Sequence, residues 1–205
     1  MATVPSGQKF HTVPSNVETN NLGSKLANDQ REIFTMQDIA DTVASSVSSN
    51  PQVIDLKVTN GTDVTGTTGL SISQTILIPA NTFTTAGGML EFIARYKKTG
   101  TAGNQGTFVY LNTSASLSGA NIIAAFTLLS VNNIVQGIRT ARINANTLTV
   151  YPALTTATND YVAVNLAQTS VAFDPTVDNY LLFVIQLSNA ADSSVVEMAR
   201  ATKYE

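Results

Sequence analysis

From Gln52 onward this chain is a succession of short apolar-rich segments, each ended by turn-forming residues and none spaced like a helix. A strand sends successive side chains to opposite faces, so such runs between Gly, Pro, Asn and Asp read as strands. Val53, Ile54, Leu56 and Val58 open the series, and a turn-rich stretch from Asn60-Gly61 to Gly69 follows. Leu70 to Ile78 comes next and is stopped by Pro79. After Gly87-Gly88, the run Met89 to Lys98 places Leu90, Phe92, Ala94 and Tyr96 on one face. Glu91, Arg95 and Lys97 share the other face, with Ile93 as the exception. Thr107 to Leu111 is a further strand, and others are expected at 122–129, 134–143, 146–151, 160–168, 180–188 and 194–202.

These make about nine or ten strands with no helix between them, the pattern of an antiparallel sandwich rather than a parallel α/β sheet. Their span of roughly 155 residues suits a jelly roll better than an immunoglobulin domain of about 100. The expected fold is therefore mainly β, an antiparallel jelly-roll-like β-sandwich. Composition agrees: charged residues are only 12% of the chain, while Thr, Ser and Asn number 28, 17 and 18. Short polar side chains suit strand surfaces and turns and are poor material for exposed helices. Leu181 to Leu187 is apolar on both faces. One face would fill the core, and the other would meet a neighbouring subunit or a covering loop.

The chain changes character near residue 50. Residues 1–33 are polar, contain Pro5, Pro14 and the Asn-rich stretch Asn16 to Asn21, and show no period. Such a segment buries too little apolar surface to fold alone, so it is expected to be extended and to gain order on a partner surface. Thr35 with Asp38 approximates a capping box, although Glu or Gln is the usual partner. Met36, Ile39, Ala40 and Val43 then fall at helical spacing, which predicts a short helix over about 36–46. So short a helix needs its stripe covered, by the following domain or by copies around a symmetry axis. Residues 45–51 read as a linker. The organisation is an extended attachment segment with one short helix over 1–50, then a β domain over 51–205.

Side chains that do chemistry are scarce. There is no Cys, which removes disulfides, thiol catalysis and Cys-based zinc sites. The one histidine, His11, lies in the irregular leader, a poor place for a triad that needs a rigid frame. Asp160, Asp174, Asp178 and Asp192 lie in loops, where a pair could serve as glycosidase acid and base. Loop aspartates are more often turn formers, and Asp174-Pro175 reads as a turn. Gly100, Gly103 and Gly106 precede a strand, not the helix a phosphate loop requires, and read as a hairpin loop. No cofactor is expected. The net charge of −3 and the lack of a basic run argue against nucleic acid. Lys97-Lys98 is the nearest thing to a basic cluster and reads as the exposed end of a strand. No apolar run approaches the ~20 residues that span a bilayer, and Met1 to Lys9 lacks a signal-peptide core. A soluble chain without membrane insertion, made without an export signal, is expected. The sequons Asn60-Gly61-Thr62 and Asn112-Thr113-Ser114 are then chance matches.

Two stretches carry a resemblance. Phe10-His11-Thr12-Val13-Pro14 through Ile33-Phe34-Thr35-Met36-Gln37-Asp38-Ile39-Ala40-Asp41-Thr42-Val43 resembles the leader of head-fibre and tail-fibre appendage proteins of tailed bacteriophages infecting Bacteroidota, the crAss-like group included. Ile78-Pro79-Ala80-Asn81-Thr82-Phe83, Arg95 to Gly100, Tyr110-Leu111-Asn112-Thr113 and Ala191 to Val195 are similar to the jelly-roll modules of the same proteins. The resemblance implies a non-catalytic virion protein on the particle surface, commonly a homotrimer, with its N-terminus docked on capsid or tail proteins. On that footing Met36, Ile39 and Val43 would pack around the three-fold axis. Phe10, Val13, Pro14, Leu22, Leu26, Ile33 and Phe34 would attach the chain to the virion. The lack of a long shaft or repeats favours a head fibre that displays a sandwich and adheres weakly to a host-surface glycan. A tail or baseplate receptor-binding protein is the alternative, and a carbohydrate-active enzyme using the loop carboxylates is the third reading.

Overall fold

The computed structural model describes residues 51–84, 87–101, 103–128, 134–151 and 168–204. The leader and its expected helix over 36–46 lie outside the described residues, as does nearly all of the strand expected at 160–168. Residues Pro51–Glu205 form one compact unit. Its described strands are β1 (Gln52–Lys57), β2 (Val64–Thr65), β3 (Ser71–Ile78), β4 (Gly88–Thr99), β5 (Gln105–Asn112) and β6 (Asn121–Leu128). They continue as β7 (Ile134–Asn144), β8 (Thr147–Tyr151), β9 (Thr169–Ala172), β10 (Asn179–Leu187) and β11 (Ser193–Tyr204).

Every pairing among them is antiparallel. The larger sheet runs β1-β11-β4-β7-β8-β9, with β2 also on β11, and the smaller runs β3-β10-β5-β6. Among the described strands only β5-β6, β7-β8 and β8-β9 join neighbours in sequence, so the chain repeatedly crosses between sheets in the manner of a jelly roll. The architecture is an antiparallel, jelly-roll-like β-sandwich. The last two strands divide between the sheets: β10 enters the middle of the smaller one and β11 the middle of the larger.

The core is where the period-two pattern places it. Leu90, Phe92, Ala94 and Tyr96 of β4 are buried in one cluster with Leu181, Phe183, Ile185 and Leu187 of β10. Val109 and Leu111 of β5, and Val196, Ala199 and Ala201 of β11, join them. Each large apolar side chain removed from water contributes about 1.5–3 kcal/mol, so the facing rows supply most of what holds the sheets together. Phe83 and Phe173 meet edge to face, with ring centroids 6.0 Å apart. Both are buried in the same cluster.

Leu182 and Val184 of β10 alternate with the core residues and yet are fully buried within a single chain. Their partners on β5 are Tyr110 and Phe108, whose rings lie 6.3 Å apart. Two strands escape the sequence pattern. β2 has only two residues, too few to show alternation, and β9 pairs Thr169–Ala172 with Thr147–Val150.

Candidate functional site

The loop aspartates are built into the frame. Asp174 Oδ1 accepts from the Thr176 hydroxyl at 2.6 Å and from the Thr176 N–H at 2.8 Å, closing the expected turn over Pro175. Those two bonds, the hydroxyl first, hold its carboxyl below the ordinary range. Asp178 Oδ1 accepts from the Ala80 N–H at 2.9 Å and ties the β9–β10 loop to the loop after β3. Asp160 lies outside the described residues.

Asp192 has the most demanding role. The inward row Leu90, Phe92, Ala94, Tyr96 continues to Lys98, so the fifth inward side chain of β4 is a lysine. Its Nζ lies 2.7 Å from Asp192 Oδ2, and neither side chain has any exposed surface. Lys98 also donates to the Thr101 carbonyl at 2.8 Å. Asp192 Oδ1 accepts from the Thr101 N–H and hydroxyl, at 2.6 and 2.8 Å. Hydrogen bonding from Lys98, then from the Thr101 backbone and hydroxyl, holds the Asp192 carboxyl down at about 2. Gly100 sits at φ +118°, and a Cβ there would strike the Asp192 carboxylate. Only glycine lets the strand end fold over that group.

The exposed strand end read from Lys97-Lys98 is therefore corrected for Lys98. Lys97 points out, 3.6 Å from Glu197. Lys98 is buried because Asp192, contributed by the β10–β11 loop, compensates its charge. The reading of Gly100 to Gly106 as a hairpin loop is corrected as well. The strands that flank it, β4 and β5, belong to different sheets, so the loop is a crossing pinned at Thr101.

A second buried cation, Arg139, points inward from β7. Its guanidinium carbon stands 4.3 Å from the centre of the Phe126 ring, and Nη1 donates to the Ile138 carbonyl at 2.7 Å. This is a desolvated cation–π contact that ties β7 of one sheet to β6 of the other.

On the outer face of the larger sheet lies an open groove of about 690 Å³ lined by Met89, Thr140, Ala141, Arg142, Asn144, Thr147, Thr149, Tyr151 and Gln168. Cross-strand register explains its floor. Met89, Arg142, Thr149 and Ser170 stand side by side on β4, β7, β8 and β9. Thr140 and Tyr151 form the next row, and Asn144 and Thr147 the row on the other side. The Thr149 and Ser170 hydroxyls are 2.9 Å apart. Among the described residues no side chain pairs with the Arg142 guanidinium. The nearest carboxylate by register, Glu91, is one row away and bonds Arg200 at 2.9 Å.

No family model matches this chain, and no curated protein does. Among solved structures the chain is similar to a legume lectin-like domain from Entamoeba histolytica, at 12% identity over 77% of this chain and 92% of that one, with a TM-score of 0.29. It is also similar to the structure of the Gx strain of infectious bursal disease virus, at 6% identity over 77% of this chain and 42% of that one, with a TM-score of 0.22. The fold assignment rests on the strand pairing itself.

Of the residues expected to work, Phe10, Val13, Pro14, Leu22, Leu26, Ile33 and Phe34, and the helix residues Met36, Ile39 and Val43, lie outside the described residues. The groove residues went unread in the sequence. Alternation in 134–143 and 146–151 already places Arg142, Thr149 and Tyr151 on outward positions. Their convergence, however, depends on the β7–β8–β9 register, which is not a local property.

Proposed function

We propose that this chain is a structural virion protein: a homotrimeric head fibre or comparable capsid-surface appendage, anchored through residues 1–50 and displaying the sandwich. The observation that carries this reading is an exposed apolar strip along the edge strand β1 and the residue that follows it. Val53, Leu56 and Val58 are 56%, 47% and 71% exposed. An edge strand with apolar side chains in water is a liability unless another surface covers it. Copies of the same chain, gathered at the leader by a three-fold axis, are the partner that symmetry supplies. The resemblance of the leader and of the loop phrases to phage appendage proteins supports the setting.

Against the enzyme reading, the carboxylates of Asp174, Asp178 and Asp192 are engaged in bonds that hold turns and loops. A displayed sandwich works by multivalency, since many weak contacts on one particle give firm adhesion. Imaging of intact particles, with and without a deletion of residues 1–45, tests this. Density for the sandwich on the capsid surface, lost on deletion, is the expected result. Light scattering should give three times the protomer mass, and Leu56→Asp with Val58→Asp should reduce it. A wild-type monomer at micromolar concentration, or hydrolysis of a polysaccharide that depends on Asp174 and Asp178, would overturn the proposal.

A further inference from the structure

We infer that the groove across β7, β8 and β9 is a saccharide-binding site selective for acidic sugars, with Arg142 receiving the sugar carboxylate. The inference names a ligand class for the display reading and rests on that reading only for its use in adhesion.

The argument begins with the groove's chemistry. Among the described residues its lining offers hydroxyls from Thr147 and Thr149 and amides from Asn144 and Gln168. Hydroxyls and amides both donate and accept, which is what a ring of sugar hydroxyls requires. Tyr151 is 46% exposed at one end of this polar floor, and Met89 is 38% exposed beside Arg142. A half-exposed aromatic presents an apolar face to the C–H face of a pyranose. The floor is a pleated sheet and the groove lies open on it, a trough suited to a chain lying along it.

Charge then selects within that class. Arg142 is exposed in the central row, between Met89 and Thr149. Its planar fork matches a carboxylate through two parallel hydrogen bonds. Glu91, on the same face, already bonds Arg200, so it does not cancel the positive charge at Arg142. The protein as a whole carries −3, which makes this local positive site a departure from the average surface. A uronic or sialic acid within an oligosaccharide supplies both the carboxylate and the hydroxyls that the groove can meet.

The test uses the full chain and calorimetric titration with oligogalacturonate and with sialyl-oligosaccharides, each beside its methyl ester. The ester keeps the sugar and removes the charge. The acids are expected to bind, and the esters to bind about tenfold or more weakly. Arg142→Gln should lose the same factor for the acids and leave the esters unchanged, whereas Tyr151→Ala should weaken both. Should a variant fail to fold, ionic strength provides the same test on the native chain, because the acids alone should lose affinity as salt rises. Equal binding of acid and ester, unchanged binding by Arg142→Gln, or no binding of any acid at millimolar concentration would overturn the inference. Binding of acids by a chain absent from particles would sink the virion reading and leave this one standing. A chain found on particles that binds none of the probes would do the reverse.

Discussion

Gly137 lies on the inner face of β7, opposite Ala94 of β4. A Cβ built there would stand 2.5, 2.6 and 2.8 Å from Cζ, Cε1 and Cε2 of Phe126, on the facing sheet. Those separations are far inside van der Waals contact, so Gly137→Ala forces the ring or the strand to move. The ring is not free to yield: Arg139 stacks on it at 4.3 Å, and Tyr96 packs with its centroid 6.4 Å away. Overpacking of this kind costs about 1–3 kcal/mol. Replacing a strand glycine returns roughly 0.5–1 kcal/mol of backbone entropy. The net loss should be about 0.5–2 kcal/mol, or a melting temperature lower by roughly 2–6 °C for a domain of this size. Phe126→Leu removes the ring tip together with the Arg139 contact, itself worth about 0.5–2 kcal/mol. In its background Gly137→Ala should become neutral or stabilising. Urea melts of the four proteins in the cycle should therefore show a coupling of about 1 kcal/mol or more. Additivity within about 0.5 kcal/mol would mean that Gly137 and Phe126 do not face each other across the core.

Two further outcomes follow from the buried polar groups. Burial pushes the Tyr96 phenol up, and its hydroxyl donates to the Phe108 carbonyl at 3.3 Å. Tyr96→Phe should then cost about 1 kcal/mol by thermal melt, the worth of one such bond, while a loss beyond about 3 kcal/mol would show that the hydroxyl holds more than this carbonyl. The Asp192 carboxyl is held at about 2 in the fold against 3.8 ordinarily. A depressed carboxyl stabilises the fold above its unfolded value and loses that contribution as pH falls toward the folded one. Stability should thus decline between about pH 4 and pH 2. Asp192→Asn should flatten that decline while lowering stability at neutral pH, because Lys98 is left buried without its counter-charge. An unchanged acid limb in stepped-pH urea melts would show that the pair contributes nothing to it.

Much of the sandwich was legible because strand alternation is local. The inward row Leu90, Phe92, Ala94, Tyr96 can be read by eye, and it points to the buried face without any knowledge of what lies opposite. The turn at Asp174-Pro175 was equally legible, since an aspartate that bonds the backbone two residues on needs nothing from elsewhere. β2 was not legible. Two residues carry no period, and Val64 is a core residue only because Ser193 and Ser194 lie alongside it.

Lys98 marks where local reasoning stops. Its position in the alternation aims it inward, while its charge argues that it must be outside. Which argument wins depends on a counter-ion, and Asp192 arrives only when β11 is laid beside β4. The groove has the same character: Arg142, Thr149 and Tyr151 each read as outward residues on separate strands, and only the register makes them neighbours. The chain by itself determined strand content, the inward faces and the scarcity of reactive side chains, because those depend on the period and composition of adjacent residues. Tertiary structure alone decided strand order, the burial of a lysine and the gathering of a polar groove, because each requires groups brought together by non-local pairing.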